Sequence, residues 1–196
     1  MKKIKQIVTI FAALALAVTA GLSFAGTKTK AAGSDEFTRT AIEIAADMGY
    51  GWNLGNTMEA TNTWTSNPKV TDFETAWGQP VTTKAMIDGI KKAGFNSIRI
   101  PVSWSNMMSS DGNYTIDASY FKRVDEIISY AFANDMYVII NDHYDGGWWE
   151  HFCGNKRDCM KHYKNMWTQV AEHYKDYSEK LIFESANEEL GDSLKK

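Results

Sequence analysis

The chain has 196 residues, of which 44% are apolar, 13% are aromatic and 23% are charged, with a formal net charge of -3. A net charge this small gives no reason to expect nucleic acid or an anionic membrane surface as a partner. The apolar content is sufficient for one folded domain with a hydrophobic core.

The N-terminal segment has the parts of a secretory signal peptide: a basic head, an uncharged apolar run at residues 7–20, and small residues up to Ala25. We therefore expect residues 1–25 to be a signal peptide, residues 26–39 to be a disordered leader, and the protein to be secreted. The apolar run is shorter than the roughly 20 residues that a membrane-spanning helix needs, which argues against a membrane anchor.

From residue 40 onwards, segments with strand and helix patterns alternate. The predicted strands are residues 49–54, 95–100, 137–140 and 181–183. The first predicted helix begins at Thr82 or Thr83 and has the apolar stripe Met86, Ile87, Ile90 and Ala93. The second begins at Asp117 and has the stripe Phe121, Val124, Ile127, Ile128 and Ala131. The third begins at Asp158 and has the stripe Tyr163, Met166, Trp167, Val170, Ala171 and Tyr174. This alternation predicts an α/β fold with parallel strands and right-handed crossovers, either as an open sheet or as a barrel.

Polar and aromatic side chains follow each predicted strand in turn. They are Asn53 and Asn56, then Arg99 and Trp104, then His143, then Asn187 and Glu188. Contributions from every strand end are typical of a barrel site. The first strand is not followed by the glycine spacing of a dinucleotide-binding loop, which disfavours a doubly wound sheet.

The strand-end motifs together resemble glycoside hydrolase family 5, in the order and spacing of its cellulase branch. They are Gly51-Trp52-Asn53-Leu54-Gly55-Asn56-Thr57, Ser97-Ile98-Arg99-Ile100-Pro101-Val102-Ser103-Trp104, Val138-Ile139-Ile140-Asn141-Asp142-His143, and Leu181-Ile182-Phe183-Glu184 with Asn187-Glu188. The resemblance covers residues 40–196 and implies a retaining (β/α)8 TIM barrel without a cofactor, acting on a β-1,4-linked glucan.

The resemblance also implies a role for each matching residue. Glu188 would be the general acid/base, and Asn187 would hydrogen-bond the sugar 2-hydroxyl. Arg99 would hold the nucleophilic carboxylate; the alternative is that Arg99 forms a buried structural ion pair. His143 would contact the sugar; the alternative is that His143 is a hydrogen-bonded core residue. Glycoside cleavage needs one protonated and one ionised carboxyl group, and partial burial or a nearby negative charge keeps the acid protonated. Glu184 lies deeper in its strand and is expected to pair with a neighbouring strand.

Aromatic side chains near the strand ends are candidates for sugar contacts, because sugar rings have apolar C–H faces. We expect Asn53, Trp104 and Tyr144 to bind substrate, and Trp148 or Trp149 to form a platform in the loop after the third strand. The alternative, equally supported by the sequence, is that both loop tryptophans pack the loop. Tyr144 stands where many relatives carry a second histidine.

Cys153 and Cys159 lie in the same loop, and in an exported chain they are expected to form a disulfide that closes a short loop. Free thiols are one alternative. A zinc site is another, although its spacing is not a standard zinc pattern. Its four ligands would be His151, Cys153, Cys159 and His162.

Four strand–helix units are present, whereas a barrel of this type has eight in roughly 250 residues. We therefore expect the chain to be the N-terminal half of a catalytic domain, without its nucleophile, inactive alone and poorly stable because the fourth strand has an open edge. The alternatives are a non-catalytic carbohydrate-binding protein and an inactive remnant. The sequence leaves the preferred glycan and the oligomeric state open.

Overall fold

The computed structural model describes residues 39–188. The predicted signal peptide and nearly all of the predicted leader lie outside the described residues. The strands are β1 (Gly51–Asn53), β2 (Ser97–Ile100), β3 (Tyr137–Asn141) and β4 (Leu181–Glu184). The helices are α1 (Ala41–Met48), α2 (Val70–Glu74), α3 (Lys84–Lys92), α4 (Ala118–Phe132) and α5 (Lys156–Tyr174), with 3-10 turns at Trp104–Met107 and Asp145–His151. In this described part, no helix is both long and apolar enough to cross a membrane.

The strands form one four-stranded sheet in the order β1-β2-β3-β4, and every neighbouring pair is parallel. The predicted parallel pairing and its strand order along the chain are therefore confirmed. Since all strands run the same way, their carboxyl ends meet at one edge of the sheet, and the loops that follow them lie side by side.

Two helix starts were predicted correctly because their caps can be recognised in the sequence. The Thr83 side chain accepts a hydrogen bond from the Met86 amide at the start of α3, and the Asp117 side chain does the same for Ser119 at the start of α4. The start predicted for α5 was wrong. This helix begins at Lys156 after Asn155, so the predicted cap, Asp158, already lies inside its first turn.

The helices α1 and α2 were not predicted. The start of α1 carries a capping box, in which Thr40 and Glu43 satisfy each other's backbone amides. Six of its eight residues are apolar, but none of them is buried.

The core lies between the sheet and helices α3, α4 and α5. All five residues of the stripe predicted for α4 are buried, whereas on α5 the predicted Ala171 is exposed and His162 is buried instead. The fully buried members of this core include Ile87, Ile98, Ile100, Val102, Trp104, Tyr120, Val124, Ile127, Ile128, Ala131, Met136, Val138, Ile140, Met166 and Val170.

One ion pair is buried where α4 meets the long segment between β1 and α3. The Glu74 carboxylate has no exposed area and accepts two hydrogen bonds from Arg123, at 2.9 Å and 2.8 Å. The same carboxylate accepts the Thr82 amide at 2.7 Å, and Arg123 donates to the Thr82 carbonyl at 2.7 Å. This pair therefore fixes both ends of the segment that runs from α2 to α3.

Candidate active site

Each of the four strands brings one polar side chain to the carboxyl edge of the sheet. These side chains are Asn53 from β1, Arg99 from β2, Asn141 from β3 and Glu184 from β4. Asn53 is in register with Arg99, and Asn141 is in register with Glu184. Of these four, Asn53 and Arg99 were predicted from strand-end position, and the parallel pairing brings them together.

Arg99 is the centre of this group. Its Nε and Nη2 donate to the two oxygens of Glu184 at 2.7 Å and 2.6 Å, a bidentate arrangement that is among the stronger kinds of ion pair. Nη1 donates to Asn53 at 3.0 Å, and Nη2 also donates to Asn187 at 3.0 Å. The partner expected for Glu184 on a neighbouring strand is thus Arg99, and one guanidinium links β1, β2 and β4.

Glu184 is held in its ionised form by these contacts. The hydrogen bonds from Arg99 lower the pKa of Glu184 below its ordinary value of 4.5, burial opposes them, and a hydrogen bond from Asn141 at 3.0 Å adds to the lowering. A carboxylate stabilised in this way is a poor proton donor. Of the two carboxyl groups near the end of β4, Glu188 is therefore the better candidate for a general acid.

The segment that carries Glu188 is fixed to the residue that follows β3. The Asn187 amide donates to the Asp142 carbonyl at 3.0 Å, while the Asn187 side chain accepts from Arg99. The Glu188 side chain itself is exposed, so the described residues do not supply the partial burial that a general acid requires. Its role stays a prediction.

His143 lies directly after β3 and is partly buried. Burial lowers the pKa of His143 below its ordinary value of 6.5, and the charge of Arg99 lowers it further. The carboxylates of Glu59, Glu184 and Glu188 act in the opposite direction. Its Nδ1 lies 3.3 Å from the Asn141 amide nitrogen. A neutral imidazole beside Arg99 can exchange hydrogen bonds with a sugar hydroxyl without adding charge.

The loop after β3 turns its tryptophans inwards. Trp149 is buried and donates to Asp142 at 2.9 Å. Trp148 stacks on Trp149 and on His162, with both ring centroids 4.1 Å away, and donates to Asp145 at 2.6 Å. These two residues pack the loop, which is the alternative that the sequence left open, and they do not offer a platform to a sugar.

Trp104 was predicted to bind substrate, and the structure contradicts this. Its side chain has no exposed area, its Nε1 donates to the Asn141 carbonyl at 2.9 Å, and its ring packs against Tyr120 and Phe121. The residue follows β2 at the mouth, but the 3-10 turn that it begins directs its ring into the core. Asn53 and Tyr144, by contrast, are exposed.

Comparisons with known proteins agree with this geometry. The family model described as cellulase (glycosyl hydrolase family 5) matches residues 58–195. The chain belongs to glycosyl hydrolase family 5.

Relatives within family 5 include endoglucanase A of Paenibacillus barcinonensis, which is 44% identical over 183 residues that make up 90% of this chain and 44% of the relative. The xyloglucan-specific endo-beta-1,4-glucanase of Bacteroides ovatus is 36% identical, over 76% of this chain and 30% of the relative. The solved structure of a broad-specificity endoglucanase from Ruminococcus champanellensis with bound cellotriose matches with a TM-score of 0.71 and 43% identity, over 76% of this chain and 43% of that one. The chain thus spans less than half the length of these relatives, and its sheet is part of a TIM barrel.

The disulfide predicted from the two cysteines is not formed. Cys153 is exposed, whereas Cys159 is buried on α5, where its Sγ lies 3.7 Å from the Trp148 carbonyl oxygen. Within residues 39–188, no three His, Cys, Asp or Glu side chains are grouped so that they could hold a metal ion. The four residues of the zinc alternative therefore do not assemble in this family 5 chain.

Two buried aspartates behind the site were not assigned a role from the sequence. Asp145 has no exposed area and accepts hydrogen bonds from the Ser105 amide at 2.6 Å, the Ser105 hydroxyl at 2.8 Å and Trp148. Burial raises the pKa of Asp145, and the hydrogen bonds from the Ser105 amide, Trp148 and the Ser105 hydroxyl partly offset this effect. The adjacent tryptophans were the available signal, since buried indole N–H groups require acceptors.

Proposed function

We propose that this chain is the first half of the catalytic domain of a secreted, retaining, endo-acting β-1,4-glucanase. In this proposal Glu188 is the general acid/base, Asn187 hydrogen-bonds the sugar 2-hydroxyl, and the nucleophilic carboxylate comes from a part of the enzyme beyond this chain. Family 5 membership and the endoglucanase relatives support the reaction class.

The arrangement around Arg99 is the observation that carries the proposal. The guanidinium joins β1, β2 and β4 through three side chains, and Asn187 is also bonded to β3 through its amide. Glu188 is the next residue. It is therefore attached to a rigid edge where the loops of all four strands meet, as a proton donor for a bound polysaccharide must be.

The electrostatics support different roles for the two carboxyl groups. Glu184 stays ionised because Arg99 stabilises its charge, so its function is to orient Arg99 and Asn187. Glu188 keeps a free approach to a sugar oxygen because its side chain is exposed. Glycoside cleavage requires one protonated carboxyl group and one ionised carboxylate. In this proposal Glu188 is the protonated group, and the ionised nucleophile lies beyond this chain.

The proposed substrate is a β-1,4-linked glucan. A related solved structure contains cellotriose, and another relative is named as specific for xyloglucan. Side branches on the glucan are expected to contact loops rather than strand ends, so the preferred glycan depends on both halves of the barrel.

The proposal is tested in a chimera that joins this chain to the remaining C-terminal part of the catalytic domain of the Paenibacillus barcinonensis relative. The chimera should hydrolyse carboxymethyl cellulose and release the β-anomer, as a retaining enzyme does. Glu188→Gln should reduce hydrolysis of glucosides with poor leaving groups by about 10²–10⁴-fold and should reduce that of dinitrophenyl glucosides much less. Glu189→Gln changes the neighbouring carboxyl and serves as the control, with activity close to that of the unchanged chimera.

Two results would contradict the assignment. If Glu188→Gln reduced the hydrolysis rate equally for substrates with good and poor leaving groups, Glu188 would not be the general acid. If the chimeras bound glucan but none of them hydrolysed it, the result would favour the alternative of a non-catalytic carbohydrate-binding protein.

Export is the second part of the proposal, and it depends on the sequence pattern of residues 1–25. Expression with these residues in a bacterial host should place the protein in the medium or periplasm with Gly26 as its first residue. Mass spectrometry of the secreted protein checks this, and an intact Met1 in the exported form would contradict it.

A further inference from the structure

Two carboxyl side chains behind the carboxyl edge of the sheet have no exposed area. They belong to Asp142, the residue that follows β3, and to Asp145, and they are hydrogen-bonded to each other. Each also accepts an indole N–H: Trp149 donates to Asp142 at 2.9 Å, and Trp148 donates to Asp145 at 2.6 Å. The two indoles stack with their centroids 4.1 Å apart. The carboxyl groups therefore lie side by side in the interior, next to a pair of stacked rings.

This pair of carboxyl groups must hold a proton. A hydrogen bond between two carboxyl groups requires a hydrogen on one of them, because an ionised carboxylate can only accept. Burial and repulsion between like charges both oppose the ionisation of the second group. Burial also raises the pKa of Asp145, which agrees with a pair that keeps a proton above the usual range of an aspartic acid.

The neighbouring donors indicate which of the two groups is ionised. Asp145 accepts from the Ser105 amide at 2.6 Å, from the Ser105 hydroxyl at 2.8 Å and from Trp148. Three donors directed at one carboxyl group stabilise its charged form. The negative charge is therefore placed on Asp145, and the shared hydrogen is placed on Asp142.

The helices that pack against the pair present titratable groups that are neutral near pH 7. Tyr120 lies on α4, and burial raises its pKa, as it raises that of Tyr163 on α5. Burial lowers the pKa of His162, also on α5, to about 4. Its Nε2 lies 3.1 Å from the Ser105 hydroxyl, and since that hydroxyl donates to Asp145, the imidazole carries its hydrogen on Nε2. The charged groups on the side of the site are those that act on His143, namely Arg99, Glu59, Glu184 and Glu188.

The pair lies at both ends of the turn that carries His143. The Asp142 carbonyl accepts the Asn187 amide at 3.0 Å, and the Asp145 amide donates to the His143 carbonyl at 2.6 Å. Within the turn, Tyr144 and Asp145 have φ values of 57° and 49°, which non-glycine residues rarely adopt. Such a backbone persists only where the surrounding contacts impose it. The buried hydrogen bonds of the two carboxyl groups are contacts of this kind.

We propose that Asp142 and Asp145 share one proton and that this pair positions His143 in the candidate active site. Both are positioning residues, since they are buried and act through the main chain of the turn. The relevance of the pair to catalysis rests on the proposed function, whereas the shared proton does not. Asparagine at position 142 would keep the hydrogen bond to Asp145 without binding a proton, because its amide group both donates and accepts.

Asp142→Asn is therefore expected to stabilise the chain at neutral pH. Unfolded aspartic acid loses its proton near a pH of about 3.9, whereas the folded pair keeps one, so each further pH unit favours unfolding of the unchanged chain about tenfold. The unfolding constant of the unchanged chain, divided by that of Asp142→Asn, should rise about tenfold for each pH unit between about pH 5 and 7. Urea unfolding followed by circular dichroism gives both constants. His162 contributes the opposite pH dependence, but it is present in both proteins and cancels in the ratio.

Asp111→Asn is the matched control. Asp111 is exposed, and hydrogen bonds from Ser109 and Asn113 lower its pKa, so it is ionised in both the folded and the unfolded chain over this pH range. Its substitution should change the unfolding constant by the same factor at every pH. If the ratio for Asp142→Asn were also constant with pH, the shared proton would be ruled out, whichever protein was the more stable.

A second measurement tests the positioning. Burial lowers the pKa of the His143 imidazole, which NMR titration of the chain measures directly. Asp142→Ala removes the carboxyl group and should loosen the turn, so that the pKa of His143 rises towards its ordinary value, whereas Asp142→Asn should leave it as in the unchanged chain. An unaltered His143 pKa in Asp142→Ala would show that the pair does not position the imidazole. Asp142→Ser, which is too short to reach Asp145, replaces Asp142→Ala if the latter does not fold. Neither measurement uses a substrate, so both are independent of hydrolysis by the chimera, which decides the proposed function.

Discussion

Arg123→Met tests the buried ion pair that supports the segment from α2 to α3. The substitution keeps much of the side-chain length but removes the positive charge, which leaves Glu74 with no exposed area and with the Thr82 amide as its remaining described partner. Breaking a buried pair from one side costs about 3–5 kcal/mol, because an uncompensated charge stays in the interior.

The expected loss is a large part of the stability of a domain of this size, which is typically about 5–15 kcal/mol. With a urea dependence of about 2 kcal/mol per molar, the midpoint of unfolding should fall by about 2 M. Urea unfolding followed by circular dichroism measures this shift directly.

Glu126→Gln is the matched control. Glu126 also pairs with Arg123, but half of its side chain is exposed, so its removal should cost less than about 1 kcal/mol. Replacing both buried partners, Glu74→Leu with Arg123→Met, should recover a large part of the loss since no buried charge remains. A cost for Arg123→Met no greater than that for Glu126→Gln would refute the reasoning.

Three further substitutions test other parts of the structure. Burial lowers the pKa of His162 to about 4, so as the pH falls below 6.5 the unfolded chain binds a proton at this residue and the folded chain does not. The contribution of His162 to the free energy of unfolding should therefore decrease by about 3 kcal/mol as the pH falls from 6.5 to 4. His162→Phe should remove this decrease. Arg99 lowers the pKa of Glu184, so Glu184→Gln should destabilise the chain by about 1–2 kcal/mol at pH 7. The difference in stability between the variant and the unchanged chain should disappear as the pH falls below 4.5 and Glu184 becomes protonated. Gly51→Ala should cost about 1–3 kcal/mol, because a Cβ there would lie 2.9 Å from the Ser97 hydroxyl, and Ser97→Ala should relieve that cost in the double variant.

Urea midpoints measured at pH 7, 5.5, 4.5 and 3 check all three, because the titration of Glu184 lies below pH 4.5. A His162→Phe variant that keeps the full acid sensitivity would show that another group causes it. A constant Glu184→Gln effect at every pH would mean that the carboxylate charge is not what stabilises the site. Additive costs for Gly51→Ala and Ser97→Ala would argue against a direct clash.

The sequence predicted those parts of the fold that depend on local patterns. The stripe of α4 has regular apolar spacing and a capping aspartate, and all five predicted positions are buried. The α5 start was misplaced because Asp158, an acidic residue in the first turn, has the same composition signal as a cap. The segment around α2 has no periodic stripe, and its position depends on a long-range ion pair that no local pattern indicates.

The candidate site was predictable as far as strand ends could be recognised. Arg99, His143 and Asn187 were found because each lies at or shortly after the carboxyl end of a strand, and parallel pairing brings these ends together. The direction of a ring was not predictable in the same way. Trp104 and Tyr144 both lie in loops at the mouth, yet one is buried and the other exposed, because tertiary packing decides which way each loop turns.

The hydrogen bonds that the Arg99 guanidinium donates have a further consequence for the evolution of such barrels. Asn53, Glu184 and Asn187, the side chains that accept its hydrogen bonds, all belong to this chain, so this network is assembled within the first four strand–helix units. Exchange of the second half, by recombination between related genes, would then bring a new set of loops to the same network. We expect hybrid barrels that share this half to differ in the glycan that they bind while keeping the same hydrogen bonds around Arg99.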